Sequence, residues 1–255
     1  MLVPHAADWL RCYRPRPGAT VRLICFPFAC GSAIFFRPWV DALPDTVELV
    51  AVQYPGRLER FAEPPVTDMD TMVKSVMWVL PGMLDRPVAM FGHSMGAAIA
   101  FEVARALQER HQFTLRRLFV SGRPSPGHHR PERKHLEPDN VLWDELRRLG
   151  GTTADAVAHE GLRATLLPAM RGDYRLIETY RPVPGGVLDS PVTALLGDQD
   201  PEVTLVEARG WAGHTSTGFQ LRVFPGHHFY IASQPDAVVA EVVAGLAPDG
   251  QDDAP

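Results

Sequence analysis

The feature that most constrains this chain is Phe91-Gly92-His93-Ser94-Met95-Gly96, a serine with a glycine two positions away on either side. Residues 87–91 before it are an apolar run that reads as a buried strand, and residues 95–110 after it read as a helix. A strand that turns sharply into a helix through Gly-x-Ser-x-Gly strains the serine backbone, so only small residues fit beside it. The hydroxyl then stands above the sheet edge, with the start of the helix pointing at it. Negative charge developing beside that serine would meet backbone N–H groups and the positive end of the helix dipole. A surface turn can carry the same spacing by chance, and the flanking strand and helix separate the two cases.

Around this centre, strands and helices alternate. Residues 21–26 are an apolar run closed by Pro27, and the turn at 27–32 leads to a short helix expected over 35–43. Further strands are expected at 47–54, 115–121, 191–196 and 221–224. Helices are expected at 69–80, with Thr67-Asp68 as a cap, at 202–211 and at 236–246. Such alternation implies an α/β fold with a mostly parallel sheet and helices on both faces. It breaks between residues 125 and 186, which show two helical stretches and no strand. The first, 140–149, puts Leu142, Leu146 and Leu149 on one face. The second, 161–180, carries a stripe of Leu162, Leu166, Met170, Tyr174 and Ile177, with Pro168 expected to kink or interrupt it. An insertion that leaves the sheet at the serine's edge is expected to form a lid rather than an ordinary extra layer. Residues 1–255 read as one domain, with a disordered tail over 248–255.

Composition narrows the function classes. A net charge of −5 with both signs interspersed offers no basic stripe for nucleic acid. Cys12, Cys25 and Cys30 are too few and wrongly spaced for a metal cluster or a disulfide framework, so a reducing cytoplasm is expected. The first 17 residues lack the apolar core of a signal peptide, and no run is long enough to span a bilayer.

A serine hydroxyl needs a base to become a nucleophile, and the base needs an orienting acid. The order serine, acid, histidine fits two later loops. The loop after 191–196 offers Asp198 and Asp200, one of which could instead cap the following helix. The loop after 221–224 offers His227 and His228, which must point in different directions; His228 is the choice for the base. One oxyanion donor is expected at the N–H of Met95, just after the serine, and the other at Ala29, in the turn after the first strong strand. Phe28 is expected at the substrate pocket, and His93 either there or in a structural role.

Several stretches occur together and in order: residues 24–29 (Ile-Cys-Phe-Pro-Phe-Ala), Tyr54-Pro55-Gly56-Arg57, the serine turn, Leu149-Gly150-Gly151 and Asp173-Tyr174-Arg175. In these the chain resembles the stand-alone type II thioesterases that accompany polyketide synthases and non-ribosomal peptide synthetases. The resemblance covers about residues 23–246. Gln53 to Arg57 and Glu178-Thr179-Tyr180-Arg181 are closer to the polyketide branch. The resemblance implies an α/β-hydrolase core with a helical lid and a triad of Ser94, Asp200 and His228. It also implies release of stalled or mis-primed acyl chains from the phosphopantetheine arm of an acyl carrier protein, acting in trans. No metal or cofactor beyond the substrate's own arm is implied, nor any nucleic-acid or membrane partner, and a monomer is expected. Arg123, Arg163, Arg171 and Arg175 could face an acidic carrier. Cys30 departs from the pattern, standing where the family usually has glycine; at positive φ a cysteine costs energy. A carboxylesterase, an acyltransferase and a non-catalytic carrier-binding module are the competing readings.

Overall fold

Strands covered on both faces read as continuous apolar runs, and this chain builds its sheet from such runs. The computed structural model describes residues 6–130, 132–149, 160–183 and 185–247. Its strands are β1 (Leu10–Arg11), β2 (Val21–Phe26), β3 (Val47–Val52), β4 (Val88–His93), β5 (Arg117–Ser121), β6 (Val192–Gly197) and β7 (Phe219–Phe224). They form one sheet in the order β1-β3-β2-β4-β5-β6-β7, parallel throughout except for the β1–β3 pair. The helices are α1 (Ala6–Trp9), α2 (Trp39–Ala42), α3 (Met69–Val79), α4 (Met95–His111), α5 (Asp139–Leu149), α6 (Glu160–Thr179), α7 (Leu205–Arg209), α8 (Tyr230–Ser233) and α9 (Pro235–Leu246).

Successive strand residues feed opposite faces of the sheet. Val88 and Met90 of β4 join the core that contains α3, α4 and Met170 of α6, whereas Ala89 and Phe91 join the core under α2 and α9. Phe91 packs edge-on against Trp39, with ring centroids 4.8 Å apart. The helix over α3 starts where expected: the Asp68 carboxylate accepts the Thr71 N–H at 2.8 Å.

This topology gathers the functional loops. Because β2 and β4 to β7 all run the same way, their carboxyl ends lie along one edge. The order reverses between β2 and β4, where Phe26 is in register with Gly92, so the loops after these two strands open a crevice. Ser94 follows β4, and the Phe28–Gly31 turn follows β2.

Several expectations are corrected. Residues 10–11, where no element was expected, form β1, which pairs Leu10 with Val52, and Trp9 beside it is buried. The helix expected over 35–43 is a 3-10 turn (Ala33–Phe36) followed by α2. The helix expected from residue 202 starts at Leu205, because Thr204 and Glu207 form a reciprocal capping box. Pro168 does not interrupt α6. Between residues 125 and 186 the described residues form α5, α6 and short turns, with no strand. Leu149-Gly150-Gly151 continues outside the described residues, as do the side chains of Leu146, Leu149 and Leu162 and the tail at 248–255.

Candidate active site

Ser94 sits at φ 53° and ψ −116°, a conformation rare for a residue with a Cβ. The fold holds it there. Its N–H donates to the Ser121 carbonyl at 2.8 Å, tying the turn to β5, and its carbonyl accepts the Ala97 N–H at 3.1 Å. The two glycines are required by contact. A Cβ on Gly92 would lie 2.2 Å from the Gly96 carbonyl oxygen, and one on Gly96 would lie 2.1 Å from the Phe26 carbonyl oxygen. The turn is pressed against the end of β2 and has no space for a methyl group.

The two open choices separate cleanly. Asp200 receives the His228 Nδ1–H at 3.0 Å on Oδ1 and 2.9 Å on Oδ2, and its side chain is wholly enclosed. Asp200 Oδ1 also accepts the Glu202 N–H at 2.8 Å. Asp198 instead accepts the Gly226 N–H at 2.8 Å, stapling the acid loop to the histidine loop. The two loops are so close that a Cβ on Gly197 would lie 2.5 Å from the Gly226 and His227 carbonyl oxygens. His227 is exposed and bonds through Nδ1 to the Gln199 carbonyl at 3.0 Å. With the Nδ1 proton of His228 on a carboxylate, which can only accept, Nε2 keeps its lone pair.

A cavity of about 340 Å³ brings the expected groups together: Phe28, Ala29, Ser94, Met95 and His228 all line it. Tyr174, Ile177 and Glu178 of α6 line it as well, with residues 129–130, 132 and 134. In the Phe28–Gly31 turn the Gly31 N–H donates to the Phe28 carbonyl at 2.8 Å. Cys30 has φ 65°, the left-handed region that favours glycine. Burial, followed by the nearby Asp173 carboxylate, pushes the Cys30 thiol up, which favours its protonated form. Met95 is the first residue of α4, where N–H groups have no partner within the helix.

A thioesterase-domain family model matches residues 21–245. The chain belongs to the thioesterase family. It is 43% identical over 244 residues to a probable cadicidin biosynthesis thioesterase of Streptomyces griseus, covering 96% of this chain and 67% of the relative. It is 40% identical over 227 residues to thioesterase PikA5 of Streptomyces venezuelae, covering 89% and 81% of the two chains. The structure of BorB, a type II thioesterase from the borrelidin biosynthetic cluster, superposes with a TM-score of 0.88 at 45% identity, covering 96% of this chain and 100% of that one. The fold is that of the α/β-hydrolases, and membership of this family makes the chain an enzyme of thioester chemistry.

In this thioesterase His93 takes the structural one of its two expected places and does not line the cavity. It is fully buried, with its ring centroid 4.9 Å from that of His228. Its Nδ1 bonds the Ser121 hydroxyl at 2.8 Å, and that hydroxyl bonds the Tyr230 phenol at 2.5 Å. Burial, and secondarily His228, hold the His93 imidazole well below its ordinary range, so it stays neutral. As the residue before the serine it ends a buried strand, which explains the enclosure. Arg123, considered above for a carrier surface, lines the cavity and donates to His129 Nδ1 at 2.7 Å. Arg171 pairs with Asp139 at 2.6 Å.

Sequence reasoning missed one set of residues here. Asp173 of α6 accepts the Cys30 N–H at 2.7 Å and pairs with Arg57; the two side chains are 1% and 3% exposed. The only advance signal was that both residues lie in recurring stretches, Tyr54-Pro55-Gly56-Arg57 and Asp173-Tyr174-Arg175.

Proposed function

We propose that this chain hydrolyses acyl groups from the phosphopantetheine arm of carrier proteins in a polyketide or peptide assembly line, clearing stalled or mis-primed chains. The observation that carries this reading is the Asp200–His228 pair, whose histidine lines one cavity with Ser94. His228 Nε2 takes the Ser94 proton as Oγ attacks the thioester carbonyl carbon. The carbonyl electron pair becomes an oxyanion facing the N–H groups of Ala29 and Met95. Collapse of this intermediate breaks the C–S bond, and the leaving thiolate takes the proton held by His228. His228 then deprotonates a water that attacks the acyl-enzyme, and Ser94 leaves with its proton restored. Asp200 fixes the imidazole tautomer and stabilises the imidazolium.

Protein groups, substrate and water handle every proton and electron pair in this scheme, so it calls for no cofactor. Among the described residues no cluster of His, Cys, Asp or Glu is placed to hold a metal ion. The relatives from biosynthetic clusters support a carrier-protein partner, and the residue 125–186 insertion is read as the lid over its arm. Phe28, Met95, Tyr174 and Ile177 would meet the acyl chain. Three free cysteines fit a cytoplasmic enzyme, and among the described residues no helix is long and apolar enough to cross a membrane.

The test is release of acyl groups from loaded carrier protein, compared with p-nitrophenyl esters and with added alcohol or amine acceptors. Ser94→Ala should lower kcat by roughly 10⁴–10⁶-fold. Turnover near the wild-type rate would remove Ser94 from the mechanism. A preference for simple esters would favour a carboxylesterase, and acyl transfer to an added acceptor would favour a transferase.

A further inference from the structure

The turn that carries Ala29 is held from both sides by residues outside the triad. On one side the Tyr54 hydroxyl donates to the Pro27 carbonyl at 3.2 Å. On the other, the Asp173 carboxylate accepts the Cys30 N–H at 2.7 Å. Arg57 completes the arrangement. Its guanidinium pairs with Asp173, lies 5.1 Å from the Tyr54 ring centroid and donates to the Pro55 carbonyl at 3.1 Å. The peptide of Ala29 therefore lies between two anchored points, Pro27 and Cys30. The second anchor acts on a residue at positive φ, a conformation that relaxes unless the surroundings over-determine it. A buried carboxylate accepting a backbone N–H makes a strong charge-assisted bond, suited to keeping Cys30 in that state.

We propose that Asp173 is a positioning residue for the oxyanion site. Through the Cys30 N–H it fixes the turn that presents the Ala29 N–H to the cavity. Because α6 carries Asp173 and also roofs the cavity with Tyr174, Ile177 and Glu178, the donor geometry depends on α6 being seated. The inference rests on the hydrolytic reading above and deepens it. It explains why two stretches without a catalytic group, Tyr54-Pro55-Gly56-Arg57 and Asp173-Tyr174-Arg175, accompany the serine turn.

Replacing Asp173 or Arg57 alone leaves a buried charge without its partner, and such a variant can fail to fold. The test therefore uses two double variants, each free of both charges. Asp173→Asn with Arg57→Met keeps a side-chain oxygen that can accept from the Cys30 N–H. Asp173→Leu with Arg57→Met does not. Thermal melting establishes that both are folded. Each is then assayed with an acyl-pantetheine thioester, with the matching thioether as a ground-state analogue, and with a trifluoromethyl ketone. Ser94 Oγ adds to the ketone carbonyl, and the resulting oxyanion needs the hole. We expect the first pair within about fivefold of wild-type kcat. The second should lose about 10²-fold in kcat and in ketone affinity, while KM and thioether affinity move by less than about threefold. Equal kcat and ketone affinity in the two folded variants would overturn the proposal. So would a loss confined to KM and thioether binding. A wild-type enzyme that neither releases the acyl group nor binds the ketone would overturn the hydrolytic reading itself, and this inference with it.

Discussion

The floor and the roof of the cavity are built by different means. The floor is a set of loops at one sheet edge, held by main-chain contacts with no slack. Ser94 is tied to Ser121 and Gln199 to Gly226 through main-chain hydrogen bonds, and Gly92, Gly96 and Gly197 each lie where a Cβ would strike a carbonyl oxygen. The roof, α5 and α6, packs Leu142, Met170 and Leu176 into the core, and charged side chains tie its outer side. Arg171 reaches Asp139, Lys134 reaches Glu145 at 2.9 Å, and the Glu178 carboxylate accepts the Lys134 and His135 N–H groups at 2.8 and 3.0 Å. Main-chain packing fixes atoms to a fraction of an ångström, as bond-making chemistry demands. Ion pairs near solvent hold more loosely and can re-form after opening. Asp173 joins the two, a roof carboxylate bonded to the main chain of a floor turn.

The largest effect should come from the floor's electrostatics. Asp200→Asn disturbs the His228 tautomer and should lower kcat by about 10⁴-fold. Asp198→Asn still offers an oxygen to Gly226 and should stay within about threefold of wild type. Steady-state kinetics on the two variants compare adjacent carboxylates directly, and similar losses would refute the division of labour drawn for this loop. Next comes packing. Gly96→Ala should destabilise the fold by about 3 kcal/mol or more in urea unfolding, since main chain rather than a pliable side chain blocks the new methyl.

Acid stability follows. Burial holds His93 well below its ordinary range, and burial with Arg123 and Arg181 holds His129 at about 4. Below the ordinary value of 6.5, the unfolded chain takes up protons that the folded chain refuses. Both groups thus contribute stability that is full above that pH and is lost as pH falls through their folded values. Melting temperature should fall from pH 7 to 4.5. His93→Asn should start lower at pH 7, having lost a packed ring, but decline less steeply. A slope equal to wild type would remove His93 from this linkage. The smallest effect belongs to the roof surface: Arg171→Ala should cost under about 1 kcal/mol, because the Asp139 side chain is 62% exposed. A cost equal to that of Gly96→Ala would erase the contrast between floor and roof.

How much of this could be read in advance depended on how local the cause was. The strand and helix around Ser94 show apolar periodicity and glycine spacing within some twenty residues, and both elements form as expected. Loop order brings an acid loop and a histidine loop to the serine once a parallel sheet puts strand ends on one edge, but it left Asp198 and Asp200 open, and only the family resemblance pointed to Asp200. Strand β1 was not visible, because two residues carry no period and their pairing with Val52 and Ala51 is tertiary. The start of α7 was legible and overlooked: Thr204 and Glu207 spell a capping box three residues apart. For His93 the sequence left pocket and structural places open, and the pleat of β4 turns it inward. The Asp173 contacts span 116 residues to Arg57 and 143 to Cys30, beyond the reach of any local pattern.

The strand order has a further consequence, for the enzyme's birth. From β2 and β3 onward, each of β4, β5, β6 and β7 joins the same growing edge in the order in which it is translated. A domain folds as a unit, and in this one the proposed base is the last part of the site to be translated. His228 arrives on the loop after the final strand. On the proposed mechanism, a chain cut short before β7 would carry the serine turn without a base to serve it.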